Sequence, residues 1–356
     1  MGLSRRDLLN RLAFGVVFVP ALARLPLPLQ RSILFEPDAQ LVPAKSLPTN
    51  PFMRNNKALV VIVHGEDPHA MLAEGLKLLG GVDRLAIQGR RVLIKPNIVN
   101  DRPPPSTTNP DVIRATVHAV REAGASDVVV ADSSGMIRFP TSENLTKTGV
   151  REAVESAGGR VLALEDEPWV AVEPGKATVL RRYYVSQPVY DAPVFINLPV
   201  VKTHRFAHYS CSLKNLVGIV HPRNRPSMAF LAGNWHERIA EINLAVHPQL
   251  TIADATTVMI AGGPTSGTPA RADLLLLSGD RIALDTVAVA LIRSYSAWDK
   301  VTGKGVWEQR QIQHAAELGL GVRGPGEMDV VASSVGGAEE PFQNLVERLR
   351  RDVGVT

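Results

Sequence analysis

The sequence is poor in cysteine, in aromatic residues and in clustered charge, and each shortage excludes something. Its 356 residues include a single cysteine, Cys211. That rules out an intrachain disulfide, a four-cysteine zinc site and a cysteine-ligated iron–sulfur cluster. Aromatics make up only 5% of the chain, and no Lys/Arg block is interleaved with them, so no nucleic-acid surface is expected. The formal net charge is +4, and half of it lies in residues 1–23, where Arg5, Arg6 and Arg11 stand against Asp7 alone. No G-x-G-x-x-G follows an early strand and no G-x-S-x-G elbow exists, so nicotinamide or flavin Rossmann sites and the commonest serine-hydrolase site lack support. Gly262–Thr268 has the glycines of a phosphate loop but not its Gly-Lys-Ser/Thr. It reads as a rigid turn that could still offer N–H groups to an anion.

What is present begins with an address. Ser4-Arg5-Arg6-Asp7-Leu8-Leu9, the apolar stretch Leu12 to Leu22, and Ala21 and Ala23 as a cleavage site are similar to a bacterial twin-arginine export signal over residues 1–23. The stretch is shorter than the about 20 residues that span a bilayer. The twin-arginine machinery is therefore an expected partner and the periplasm an expected location, with an uncleaved membrane anchor as the alternative. Residues 24–56 carry Pro26, Pro28, Pro37, Pro43, Pro48 and Pro51 with no hydrophobic period, and read as an extended linker.

From Ala58 onward, apolar runs alternate with helical segments. Strands are predicted at Leu59–Val63, Arg91–Lys95, Asp127–Ala131, Val161–Leu164, Pro193–Asn197, Leu250–Ala253 and Asp273–Leu277. Helices are predicted at Pro68–Leu79, from the Asn109-Pro110 cap to Ala123, and at Val150–Ala157, Asn234–Ala245, Ala283–Arg293 and Trp307–Leu318. β-Branched runs without polar alternation predict an α/β fold. Its sheet would be mostly parallel and covered by helices on both faces, with two lobes and a cleft as an option. The α/β domain would span 57–335, and 336–356 would add a C-terminal surface helix.

Ligands of open α/β sheets sit at the carboxyl ends of strands, and several ends here carry polar groups: Lys95 and Asn97, Asp132 and Ser133, Asn197, and Asp254. Any one alone could simply cap the next helix. Lys95, Lys202 and Lys214 lie beside apolar runs, where a solvated lysine is not the default. With Arg205 they would form a pocket for carboxylate or phosphate. Alternatively they pair with Asp132, Asp254 and Asp285 as internal salt bridges. His204 and His208 stand four apart, the spacing of two metal ligands on a helix face, with Asp132 or Asp254 to complete the set. Cys211 is either a small buried hydrophobe or a thiol activated by His208 and Lys214.

Val92–Asn97, Thr107–Pro110, Asp132–Gly135, Ile196–Pro199, Lys202–His204, Ser212–Gly218 and Asp280–Ala288, in this order, resemble the domain of unknown function 362 family over roughly residues 58 to 335. The resemblance implies no activity. Some relatives carry a ferredoxin-like module with cysteine-ligated clusters, which the lone Cys211 does not match. The architecture is also loosely similar to lactate racemases, a likeness of fold that assigns no reaction. The expected function is an exported enzyme acting on a small anionic substrate, with a divalent metal as the one cofactor these residues suggest. Asp132, His204 and Lys202 are the candidate catalytic residues. Lys95, Asn97, Ser133, Asn197, Lys214 and Asn215 would bind substrate; His204, His208 and Asp132 would ligate the metal. A non-catalytic periplasmic binding or assembly protein stays open as the alternative.

Overall fold

A computed structural model describes residues 37–136, 138–231, 233–336 and 339–355. The export signal, and the linker up to residue 36, lie outside the described residues. In chain order the framework is β1 (Lys57–His64), α1 (Pro68–Leu79), β2 (Arg91–Pro96), α2 (Pro110–Glu122), β3 (Asp127–Asp132), α3 (Val150–Ser156), β4 (Arg160–Ala163) and β5 (Val194–Leu198). There follow β6 (Val200–His204), β7 (His208–Ser210), α4 (Ser212–Asn215), α5 (Trp235–Ile242), β8 (Leu250–Gly262) and β9 (Gly267–Ser278). The chain closes with α6 (Arg281–Ser294), α7 (Arg310–Glu317), β10 (Met328–Ser334) and α8 (Glu339–Val353).

One large sheet runs in the order β10–β1–β9–β8–β5–β2–β3–β4. Along this path it is parallel except at β9, which is antiparallel to both β1 and β8. Off the path, β6 pairs parallel with β8, and two short strands, β7 on β6 and Met53–Arg54 on β1, pair antiparallel. Strands from both halves of the chain enter it, so the mostly parallel α/β fold is adopted as one continuous sheet rather than two lobes. Helices cover both faces, as the period-2 geometry of a strand requires. In β1, Val61 and Val63 turn towards α1, α2 and α3, while Val60 and Ile62 turn towards α6, α7 and α8. Burying each such side chain stabilises the fold by about 1.5–3 kcal/mol relative to exposure.

Local signals explain the sharpest boundaries. Asp67 and Asn109 accept N–H bonds at the starts of α1 and α2, each with Pro in the first turn. Gly80 closes α1 at φ 92, a conformation that glycine adopts without strain. Other expectations need correction. Part of the supposed linker is built into the fold: Phe52 is fully buried, and Leu41–Val42 joins a three-stranded sheet with Trp169–Val172 and Tyr183–Ser186. The last helix is not merely a surface element, because Phe342, Val346, Leu349 and Val353 pack into the core. β8 and β9 extend well beyond the predicted strands and meet at Gly262 and Gly267, so the glycine-rich run is their hairpin turn.

Candidate functional site

A cavity of about 260 Å³ opens where β2, β3 and β6 end. Lys95 and Asn97, Asp132 and Ser133, Lys202 and His204 line it from the sheet. Ser210, Lys214, Asn215 and Gly218 face them from the segment around α4, with Arg225, Trp235 and the hairpin residues Pro264 and Thr265. The strand-end residues are thus brought together by the parallel sheet, which presents consecutive carboxyl ends on one edge.

At the floor, Lys95 Nζ and Asp132 Oδ1 form a buried ion pair at 2.6 Å. Asp132 is used up: Oδ2 accepts the Ile98 N–H at 2.6 Å and Oδ1 the Ser133 N–H at 2.8 Å. Lys95 also donates to the Pro96 carbonyl at 3.0 Å and to Asn215 Oδ1 at 3.5 Å. Burial lowers its pKa, and the charge of Asp132 works against that shift. A Cβ at Gly218 would fall 2.5 Å from Asp132 Oδ1 and 2.6 Å from Lys95 Nζ, so bare backbone roofs the pair.

A chain of amides runs beside it. Lys202 Nζ donates to Asn97 Oδ1 at 2.7 Å and to the Ser106 carbonyl at 2.5 Å. Asn97 Nδ2 then donates to Asn215 Oδ1 at 3.0 Å, and Asn215 Nδ2 to Asn197 Oδ1 at 2.8 Å. Each donor fixes the orientation of the next amide. Asn197 does not line the cavity; it supports Asn215 from behind and donates to the Ser212 carbonyl at 3.0 Å.

The electrostatics are one-sided. Lys95, Lys202, Lys214, Arg225 and the exposed Arg138 line the cavity, and Asp132 is its only lining carboxylate among the described residues. Burial lowers the Lys202 pKa strongly, with the charge of Lys214 adding to it. Burial, then Arg225 and Lys95, bring Lys214 down to about 8. Arg225 is 3% exposed and is held by carbonyls rather than acids: Val220, Ser133, Ser134 and Gly218. Sequence reasoning missed it, together with Arg138, Ser210, Gly218 and Trp235. An arginine in the Pro222–Pro226 turn has no strand end to flag it. Arg205, predicted for the pocket, is exposed and does not line it.

The expected metal set is not assembled. His204 and His208 lie on a strand–turn–strand, as register partners of β6 and β7, not on a helix face. His208 is outside the cavity, its ring against His236 at 4.5 Å, and burial lowers its pKa to about 4. His204 Nδ1 accepts the N–H groups of Phe206 and Ala207, both at 3.1 Å. The ring proton is thereby placed on Nε2, and burial followed by the charges of Lys214 and Lys202 holds the imidazole neutral. With Nδ1 engaged, Nε2 protonated, Asp132 paired and cations all around, these donors do not fit a divalent metal. Among the described residues no three His, Cys, Asp or Glu side chains gather as a metal site. As built, His204 is a hydrogen-bond donor rather than a base.

The two supporting aspartates also differ from expectation, since neither pairs with a lysine. Asp254 accepts from Asn109 N–H and from Thr256, anchoring the start of α2. Asp285, on α6, accepts the Ser212 N–H at 2.6 Å and the Leu213 N–H at 3.2 Å, fixing α4 and hence Lys214. Burial raises the Asp285 pKa to about 7. The neutral form therefore contributes stability that is complete below the ordinary carboxyl range and is lost as pH rises through about 7. Relative to Asp285→Asn, the native protein should lose stability between pH 4 and 7, by at most about 1.4 kcal/mol per pH unit. Urea unfolding across that range checks this, and parallel pH profiles for the two proteins would refute it. Cys211 is fully buried, and burial together with Asp285 pushes its thiol pKa well up, the state of an inert core residue.

The fold and site define a class: a mostly parallel α/β protein with a cationic cavity at its strand ends. Residues 92–290, more than half of the chain, match the domain of unknown function 362 (DUF362) pattern, and the chain belongs to that family. The matched stretch contains every cavity residue named above. A thylakoid-associated protein of Synechocystis, sll1697, is 28% identical over 241 residues, 63% of this chain and 70% of its own. Among solved structures, the lactate racemase apoprotein of Thermoanaerobacterium thermosaccharolyticum superposes with a TM-score of 0.42 and 9% identity. That match covers 85% of this chain and 88% of the other.

Proposed function

We propose that the cavity binds a small organic anion, carboxylate or phosphate, and that the protein is an enzyme acting on it. The observation that carries this reading is the charge imbalance: three lysines and Arg225 converge on a cavity whose one lining carboxylate among the described residues is already spent. Lys202 and Arg225 are buried with amide and carbonyl partners rather than carboxylates, which is costly, and an anionic ligand is the natural partner. A second feature agrees: the Ser133 hydroxyl lines the cavity, buried and without a hydrogen-bond partner, as an atom that bonds a ligand would be. Amines and an imidazole with displaced pKa values favour reaction over storage.

Titration calorimetry at neutral pH with phosphate, oxalate, lactate and pyruvate tests the reading. At least one of these should bind, more weakly at higher salt. Lys202→Met should weaken that binding about tenfold or more, the equivalent of about 1.4 kcal/mol, because it removes a lining cation and unfixes Asn97. Equal binding of uncharged analogues, or no binding by any of the four anions, would refute it.

A further inference from the structure

The three lysines of the cavity are not equivalent, and the difference names a chemistry. Lys95 has three acceptors for its three N–H bonds: Asp132, the Pro96 carbonyl and Asn215. Lys202 has two, Asn97 and the Ser106 carbonyl, and both bonds hold the wall together. Lys214 makes no hydrogen bond or ion pair among the described residues; its Nζ stands over the face of Trp235, 5.9 Å from the ring centroid. Its backbone is nonetheless fixed, because Asp285 holds the Ser212 and Leu213 N–H groups.

Resting on the anion-binding reading, we propose that Lys214 is an imine-forming nucleophile and that the anion taken by the cavity carries an aldehyde or ketone carbonyl, as in a 2-oxo acid. With no acceptor to hold its ammonium and other cations beside it, Lys214 reaches the free-amine form, the one that attacks carbonyl carbon, more readily than an ordinary lysine. The depressed pKa near 8 agrees with this. The Lys214 nitrogen lone pair forms the C–N bond, and the carbonyl π pair moves to oxygen. That oxygen takes a proton shed by the nitrogen, giving a carbinolamine. Loss of water, with the second proton from nitrogen, leaves C=N. Amine and carbonyl thus become imine and water, with no change of oxidation state. Lys202 and Arg225 supply charge for the carboxylate. Ser133 and the Nε2–H of His204, both lining the cavity, are donors for the departing oxygen.

Full-length protein incubated with pyruvate and sodium cyanoborohydride should gain one carboxyethyl group, which peptide mapping should place on Lys214. The labelling rate should rise with pH to an inflection near 8 rather than in the ordinary lysine range. Lys214→Arg should lose the label, and Lys147→Arg, an exposed lysine outside the cavity, should keep it. Pyruvate that binds in calorimetry but leaves Lys214 unlabelled would overturn the imine while sparing the anion-binding reading. A label spread over surface lysines would overturn it likewise. If neither pyruvate nor any other anion of the panel binds and no label forms, both readings fall.

Discussion

Asp132→Ala should lower the free energy of unfolding by about 3–5 kcal/mol, the cost of breaking a buried ion pair from one side. The substitution strands the Lys95 ammonium, which is 1% exposed, and removes the acceptor of the Ile98 and Ser133 N–H groups. It also turns the cavity lining wholly cationic. Replacing both partners, Lys95→Met with Asp132→Leu, should cost less than Asp132→Ala alone, because no uncompensated charge remains. Urea denaturation of the three proteins decides the matter. A loss below about 1 kcal/mol for Asp132→Ala would mean that the pair does not hold the site together.

Glu241→Ala should have an effect of similar size, about 3–5 kcal/mol, at a place remote from any strand end. Glu241 is fully buried on α5 and gathers the N–H groups of Thr178, Val179 and Leu180 at 2.6, 3.0 and 2.6 Å. The Thr178 hydroxyl and His314 Nε2 complete the set at 2.8 and 3.1 Å. Burial works to raise the Glu241 pKa, but the bonds from Thr178, Leu180 and His314 outweigh it and the pKa is lowered. Its stabilisation is therefore present above the ordinary carboxyl range and is lost as pH falls through the lowered value. α5 also carries Trp235, so the variant should loosen the cavity wall next to Lys214. Thermal unfolding with and without a bound anion measures both effects. A variant as stable as the parent would show that the 178–180 segment is held by other contacts.

Much of the framework was legible because it is governed by local rules. Asn109-Pro110 and Gly80-Gly81 bound their helices within a residue of expectation, since caps and positive φ depend on neighbours in sequence. The strand-end lysines, asparagines and Asp132 were legible for a related reason: a parallel sheet places every carboxyl end on one edge, whatever its strand order. Arg225, Gly218 and Trp235 were not legible, because they reach the cavity from turns and a helix start whose path is set by packing. The His204–His208 spacing misled because four residues span a helix turn or a tight strand reversal equally well. Here β6 and β7 pair, and His208, at a positive φ of 66, sets its ring against His236 instead of the cavity.

The sequence by itself determined the alternation of strands and helices, their caps, and which cations stand at the carboxyl edge. Only the tertiary structure decided what each cation can do. The acceptor that shares Lys95 comes from Asn215, and the one that holds Lys202 comes from Asn97, each more than 100 positions away. Whether a buried ammonium is satisfied depends on atoms within about 3.5 Å, and chain order does not specify that neighbourhood. Three similar lysines therefore become a paired charge, a wall fastening and, among the described residues, a side chain with no acceptor.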